Sequence, residues 1–198
     1  MIGYLDHIDR AAFLFLNGLH NPFFDRVMFT ATNTGLWFPL YLFFFFFAVR
    51  KYKWNILFIL VAVTLMILVS DQATELVKHT VQRLRPSHQP GLIVHIVEAY
   101  KGGIYGFYSA HASNTSSVVV FLCILMGWKY WYVLIPAIIW ALAISYTRIY
   151  LGVHYPGDII AGWIAGSLIG FLFGQGALKI IELIPARNSR DRSANLSA

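Results

Sequence analysis

The sequence has little charge and almost no sulfur. Charged residues make up 12% of its 198 residues, and Cys123 is its one cysteine. A single thiol excludes an internal disulfide framework and any zinc site built from several cysteines, because both need more than one sulfur. In contrast, 58% of the residues are hydrophobic and 17% are aromatic, well above the roughly 45–50% apolar content of soluble domains. This composition argues against a soluble globular protein.

Five long runs without a charged residue hold most of the apolar content. Each approaches the roughly 17–25 residues that a helix needs to cross a bilayer. Backbone amides cannot stay unpaired in lipid, and the runs lack the alternation of barrel strands, so helices are the expected form. The sequence therefore predicts an all-α polytopic membrane bundle of about five transmembrane helices. The runs are Val27 to Val49, Trp54 to Ser70, Ala112 to Trp128, Tyr130 to Thr147 and Ile159 to Leu178.

The two ends of the chain differ from these runs. Leu5 to Leu19 mixes charged residues with an apolar stretch that is short for a crossing, which predicts an amphipathic helix at the membrane interface. No basic segment followed by an apolar stretch and a small-residue cleavage site is present, so no cleaved signal peptide is expected. Residues 1–185 are expected to form a single domain. Residues 186–198 are polar and are expected to form a flexible cytoplasmic tail.

Basic residues in the short connections predict the orientation. The positive-inside rule places such residues on the cytoplasmic side, which puts the amino terminus outside. With five alternating crossings, the end of the second helix, the start of the third, the end of the fourth and the start of the fifth all reach the outer face. The basic residues are Arg50, Lys51 and Lys53 after the first run, Lys129 after the third, and Lys179, Arg187, Arg190 and Arg192 after the fifth.

Three polar segments lie at those four helix ends. Charged groups near membrane depth are costly unless they meet partners, so their convergence indicates a functional site. Lys78, Arg85 and Arg148 supply three cations, and guanidinium groups suit phosphate oxygens. The segments are Lys78 to Pro86, Tyr108 to Ser113 and Thr147 to Asp158.

The polar residues of these segments have the chemistry of phosphoryl transfer. Ser109 precedes the third helix, where its hydroxyl and the N–H groups of Ala110 and His111 can hold an anion. His154 and Asp158 are four residues apart, so the carboxylate can bond one imidazole nitrogen and leave the other to attack phosphorus. His111 is then free to protonate the departing oxygen. No metal is required by this scheme.

Taken in order, the three segments resemble the signature of the type 2 phosphatidic acid phosphatase (PAP2) superfamily, over about residues 20 to 180. The resemblance implies a metal-independent phosphohydrolase that passes through a phosphohistidine. It implies catalytic roles for His154 as nucleophile, Asp158 as its orienting carboxylate and His111 as the acid. The phosphate-binding residues implied are Lys78, Arg85, Ser109, Ala110 and Arg148.

Three positions depart from the usual family pattern. The family usually has Pro-Ser-Gly-His in the second segment, where this chain has Tyr108, Ser109, Ala110 and His111. Alanine keeps the backbone N–H donor but lacks glycine's access to positive φ. Thr147 replaces the usual serine of the third segment and retains the hydroxyl.

The resemblance also implies a substrate and a location. The expected partners are the bilayer and a phosphorylated membrane lipid, with undecaprenyl diphosphate and lipid A phosphate ranked above phosphatidylglycerol phosphate and phosphatidate. The expected site faces the periplasm from a bacterial inner membrane, without cofactor or metal. Two alternatives remain, a non-catalytic phospholipid binder or transporter and a vanadate-dependent haloperoxidase-like enzyme. A nucleic-acid role is disfavoured because the basic residues lie at helix ends.

Other ionisable residues have simpler interpretations. Asp71 and Glu75 are expected to pair along their helix with Lys78 and His79, which positions the lysine. His88, His95 and Glu98 lie in the loop of residues 87–107 without recognisable metal-ligand spacing. Taken alone, Lys78, Arg83 and Arg85 would indicate an interfacial anchor.

Overall fold

The computed structural model describes residues 2–183, which form seven α-helices, short 3₁₀ turns and no β-strand. The all-α prediction is therefore confirmed. The predicted polar tail of residues 186–198, with three of the basic residues used for orientation, lies outside the described residues. The helices are α1 Ile2–Asn17, α2 Pro22–Ala31, α3 Phe38–Tyr52, α4 Ile56–Val81, α5 Ala110–Met126, α6 Trp131–Tyr150 and α7 Pro156–Leu183.

Helices α3 to α7 correspond to the five predicted crossings. Three helical stretches, Thr34–Val81, Trp128–Tyr150 and Pro156–Leu183, are long and apolar enough to cross a membrane, and α5 is a shorter apolar helix. The first stretch contains both α3 and α4, which fold back on each other at residues 53–55. As a result, Tyr41 of α3 and Asp71 of α4 line one cavity. The chain is an integral membrane protein built on a helical bundle.

The predicted boundaries of the first crossing, Val27 to Val49, are wrong. Helix α2 ends at Ala31 and α3 begins at Phe38, with a 3₁₀ turn over Thr34–Trp37 between them. The Asn33 side chain accepts a hydrogen bond from the backbone N–H of Gly35 at 2.9 Å. Such local bonds compete with helix continuation. The break bends the chain at the end of the bundle that also holds the polar segments.

Helix α1 confirms the helix predicted at the amino terminus, although it begins and ends two to three residues earlier. Phe13 is fully buried and meets the Tyr155 ring edge-on, with 5.3 Å between centroids. The Asn17 amide donates to the carbonyl oxygen of Tyr150 at 2.8 Å, and Asp9 accepts the backbone N–H of Gly157 at 2.7 Å. These contacts attach α1 to the end of α6 and the start of α7.

Helices α5 and α7 touch along a row of glycines. Gly162, Gly166, Gly170 and Gly174 recur every fourth residue of α7 and are all buried. A Cβ atom at Gly162 would lie 2.7 Å from the carbonyl oxygen of Ser109, and one at Gly166 would overlap that of Ser113. Small residues allow helix backbones to approach this closely in membranes. The row sets the position of the start of α5 relative to the start of α7.

This packing predicts a loss of stability on substitution. We expect Gly166→Leu to force α5 away from α7, because overpacking a tight contact costs about 1–3 kcal/mol and occasionally more. Thermal unfolding in detergent measures the effect as a lower Tm. Gly176→Leu is the matched control, since a Cβ atom at this position of the same helix meets nothing within 4 Å. Equal Tm values for both variants would contradict the interpretation.

Candidate active site

The three polar segments meet at one end of the bundle. The Arg85 Nη1 atom lies 3.2 Å from His154 Nε2. The backbone N–H of Ser109 donates to the carbonyl oxygen of Asp158 at 3.1 Å, and that of His154 donates to the carbonyl oxygen of Arg148 at 3.2 Å. Residues more than 60 positions apart along the chain thus share one site. The sequence predicts this, because alternating crossings bring the four helix ends that carry these segments to the same face of the membrane.

His154 and Asp158 form its centre. His154 lies in the connection between α6 and α7 and is 2% exposed, whereas Asp158 lies in the first turn of α7 and is completely buried. His154 Nδ1 is 3.5 Å from Asp158 Oδ2, and the same carboxylate oxygen accepts the backbone N–H of Tyr155 at 3.0 Å. A carboxylate is stabilised in the first turn of a helix. It faces Nδ1 and leaves Nε2 directed toward Arg85.

The surroundings of His154 keep its imidazole neutral. Burial lowers the pKa of His154 to about 4, because an imidazolium loses its hydration there. The Asp158 carboxylate acts in the opposite direction and raises the pKa of His154, whereas the positive charges of Arg85 and Arg148 lower it further. At neutral pH the ring therefore retains a lone pair on one nitrogen, as a nucleophile requires.

Arg85 is enclosed by the loop that precedes α5. Its Nε donates to the carbonyl oxygen of Tyr105 at 3.1 Å. A Cβ atom at Gly102 or Gly106 would come within 3.0 Å of the Arg85 side chain, and Gly102 has a φ of +65°. Burial lowers the pKa of Arg85, and repulsion from Arg148 lowers it further. Two buried cations that repel each other are stabilised by an anion between them.

Arg148 is also buried, with 2% exposure, at the end of α6. Its guanidinium donates to the hydroxyls of Thr32 and Tyr100, the latter at 3.1 Å. Its Nε has no hydrogen-bond partner among residues 2–183. A buried N–H group without a partner is costly, so this donor remains available to a phosphate oxygen.

The start of α5 supplies the second segment of the site. Ser109 is the N-cap, and its hydroxyl accepts the backbone N–H of Ala112 at 3.4 Å. Ala110 and His111 follow in the first turn, where backbone N–H groups have no partner within the helix. The charges of Arg148 and Arg85 both act on the His111 ring. This arrangement places a second imidazole beside the buried cations.

Lys78 approaches the site from the last turn of α4. Its Nζ pairs with Glu75 Oε1 at 2.7 Å, as the intrahelical prediction requires. Asp71 does not join this pair, so the prediction is wrong for that residue. Its Oδ1 accepts a hydrogen bond from the side-chain amide of Asn114 at 2.8 Å, because α4 packs against α5 at this level.

Arg83 is a residue of the site that the motifs did not predict. Its Nη1 donates to Asp158 Oδ1 at 2.7 Å, while Nη2 contacts Asp9 at 2.7 Å and Asp6 at 3.2 Å. Its Cζ lies 4.1 Å from the centre of the Tyr155 ring. Arg83 thus connects the buried carboxylate to α1. The feature of the sequence that could have indicated this role is Asp6 and Asp9, an acidic pair three residues apart on one face of α1.

A separate polar cluster lies in the outer loop. His95 does not meet His88 or Glu98. Its Nε2 lies 2.9 Å from Asp25 Oδ1, and its ring stacks on that of His20 with 3.7 Å between centroids. Candidate ligand atoms of these three residues lie within 4.8 Å of one another. Asp25 also accepts the Tyr150 hydroxyl at 2.7 Å, so hydrogen bonds alone account for the cluster.

Comparisons with known proteins agree with this geometry. The sequence profile of the PAP2 superfamily matches residues 56–180. The chain is 39% identical over 178 residues to a lipid A 4'-phosphatase of Bacteroides thetaiotaomicron, which covers 87% of this chain and 78% of that protein. It is 36% identical over 171 residues to a lipid A 4'-phosphatase of Porphyromonas gingivalis, covering 84% and 72%.

A solved structure has the same fold. It is the transmembrane PAP2 type phosphatidylglycerolphosphate phosphatase of Bacillus subtilis, with a TM-score of 0.65 and 21% identity, over 93% of this chain and 90% of that chain. The sequence profile spans α4, α5, α6 and most of α7. These helices and their connections carry the site, apart from the residues that α1 and α2 contribute. The chain therefore belongs to the PAP2 superfamily and is a hydrolase of phosphoric esters.

Proposed function

We propose that the protein removes phosphate from a membrane lipid through a phosphohistidine intermediate, without a metal ion. The observation that carries the proposal is the buried His154, with Asp158 at Nδ1 and Arg85 at Nε2. A lipid substrate suits this site because it lies at one end of an apolar helical bundle. The lipid tail stays in the bilayer while its phosphate reaches the buried cations.

The reaction has two steps. His154 Nε2 attacks phosphorus, the bond from phosphorus to the lipid oxygen breaks, and His111, protonated while the anionic substrate is bound beside it, gives that oxygen a proton. Water then attacks phosphorus, the bond from phosphorus to His154 Nε2 breaks, His111 takes a proton from the water, and inorganic phosphate leaves. Asp158 holds the imidazole and stabilises the positive charge that it gains in the first step.

The remaining residues bind the phosphate oxygens. We assign this role to Arg85, Arg148 and Lys78, with the Ser109 hydroxyl and the backbone N–H of Ala110 at the start of α5. Fixed cations stabilise the charge of a phosphoryl transfer most effectively in a site that excludes water. They supply the charge compensation that a divalent ion gives in other phosphatases. This is the basis for proposing turnover without metal.

Lipid A carrying a 4'-phosphate is the favoured substrate. The two relatives described above are named for this reaction, and each aligns along more than 80% of this chain. We propose a bacterial inner-membrane location with the site facing the periplasm. Lys51 supports this orientation, because its Nζ donates to the carbonyl oxygens of Leu125 and Met126 at the end of α5 remote from His111.

A phosphate-release panel tests the function and the metal independence together. Purified protein in detergent is given lipid A, undecaprenyl diphosphate, phosphatidylglycerol phosphate and phosphatidate, each with and without EDTA. We expect the fastest release from lipid A and no effect of EDTA. A strict requirement for an added divalent ion would contradict the proposed chemistry. Lipid transfer without phosphate release would support a transporter, and vanadate-dependent halide oxidation would support a haloperoxidase.

A further inference from the structure

A cavity of about 320 Å³ lies beside His111, between the start of α3 and helices α4, α5 and α6. Its walls combine polar side chains with aromatic rings. They include Thr32, Asp71 and Asn114, and Trp37, Tyr41 and Trp140.

Two buried polar atoms on lining residues of this cavity lack a hydrogen-bond partner in the described part of the chain. They are Asn114 Oδ1, an acceptor, and Trp140 Nε1, a donor. The Asn114 amide nitrogen donates to Asp71, which orients the amide and leaves its oxygen free. Leaving a buried polar atom unpaired costs about 1–3 kcal/mol, so two such atoms at one cavity call for an explanation. A ligand that both donates and accepts hydrogen bonds would satisfy both.

Asp71 adds acceptor capacity to the same wall. A carboxylate within an apolar membrane helix is costly and indicates function by default. An ionised carboxylate has about four lone-pair positions, and Asn114 occupies one of them at 2.8 Å. The group therefore retains room for hydroxyl donors of a ligand.

Aromatic rings form the opposite wall. Trp140 is 6% exposed, and its ring meets Tyr41 and Trp37 edge-on at centroid distances of 5.8 and 6.4 Å. Rigid aromatic surfaces with a few fixed polar groups are typical of sites for small ligands. Beyond Tyr41 and Trp140 the lining becomes almost wholly apolar, with Phe44 and Ile59 in the adjoining groove. The polar part of the space therefore accommodates one small hydroxylated unit rather than a lipid tail.

The geometry points to a binding site for a sugar ring whose hydroxyl oxygen carries the phosphate. We infer that the enzyme selects phosphorylated glycolipids over glycerol and polyprenyl phosphates. Asp71 and Asn114 Oδ1 accept from sugar hydroxyl or amide N–H groups, and Trp140 Nε1 donates to a sugar oxygen. The inference rests on the proposed function, because the sugar oxygen next to His111 is the one that His111 protonates.

The test compares two substrates in three variants. Asn114→Leu removes the unpaired Oδ1 together with the amide nitrogen that donates to Asp71, and Trp140→Phe removes the unpaired Nε1. We expect each to lower kcat/KM for lipid A by about 10-fold, the effect of about one hydrogen bond, and to change kcat/KM for phosphatidate less than twofold. Trp131→Phe on the same helix is the matched control, since its side chain is exposed at the other end of α6.

Several outcomes would overturn the inference. An equal loss on both substrates would assign these residues to catalysis or folding, and thermal unfolding in detergent separates those two. Unchanged activity on lipid A would show that the cavity does not contact the sugar. Faster turnover of phosphatidate than of lipid A by the wild type would reject glycolipid selection and leave the phosphatase function intact. No release from any lipid would instead reject the proposed function itself.

Discussion

We expect His154→Ala to lower phosphate release from the best lipid substrate by at least about 10³-fold, since loss of a nucleophile removes the covalent route. The imidazole is the group held between Asp158 and Arg85. Inorganic phosphate release in detergent measures the effect. A Tm close to that of the wild type is required, to show that the variant is folded.

His79→Ala provides the matched control for this experiment. Its side chain is 75% exposed at the end of α4, so its removal leaves turnover at the wild-type level. An alkaline quench during turnover of phosphate-labelled substrate gives a second readout. The label is expected on the wild-type protein and not on His154→Ala. Substantial turnover by a folded His154→Ala protein would reject His154 as the nucleophile.

The second large effect is expected for His111→Ala, and it depends on the leaving group. A lipid alkoxide needs a proton as it departs, and loss of the general acid lowers the rate by about 10²–10⁴-fold. An aryl phosphate such as p-nitrophenyl phosphate has a leaving group that departs without a proton. We therefore expect a much smaller loss on the aryl substrate. The measurement is the rate of leaving-group release in the first turnover, which precedes phosphohistidine hydrolysis.

His88→Ala in the outer loop is the histidine control for the comparison. Equal losses on the lipid and aryl substrates would mean that His111 binds phosphate rather than transfers a proton. A full loss confined to the lipid substrate would support the assignment of His111 as the acid. The His154→Ala and His111→Ala variants thus test different steps of the proposed reaction, the attack on phosphorus and the protonation of the departing oxygen.

Much of the helical fold could be predicted from apolar runs. Helix α6 lies within four residues of the predicted run, and α4 extends past the end of its predicted run at Ser70 to Val81. An uncharged run of about 20 residues can satisfy its backbone in lipid only as a helix. The prediction was wrong where a local hydrogen bond interrupts a run. In the first run, the Asn33 side chain accepts a hydrogen bond from the backbone N–H of Gly35.

The contacts that surround the candidate site were harder to predict. Motif spacing indicated the pair of His154 and Asp158, since four residues place them on one side of a helix start. The role of Arg83 depends on how α1 docks, and Asp9 contacts Gly157 across 148 positions of the chain. No local pattern encodes a contact of that range. The hydrogen bond between Asn114 and Asp71 likewise depends on how α5 packs against α4.

By itself, the sequence determined that the chain is a bundle of membrane helices with the motifs of the PAP2 superfamily. These properties depend on local composition and on short spacings, which a linear chain displays directly. The tertiary structure decided how α1 supports the buried carboxylate and which side chains share the cavity beside His111. Those properties arise from the close approach of helices distant in sequence, which the glycine row of α7 permits at its contact with α5. The fold therefore provides the cavity from which we infer substrate selection, beside motifs that the sequence already displays.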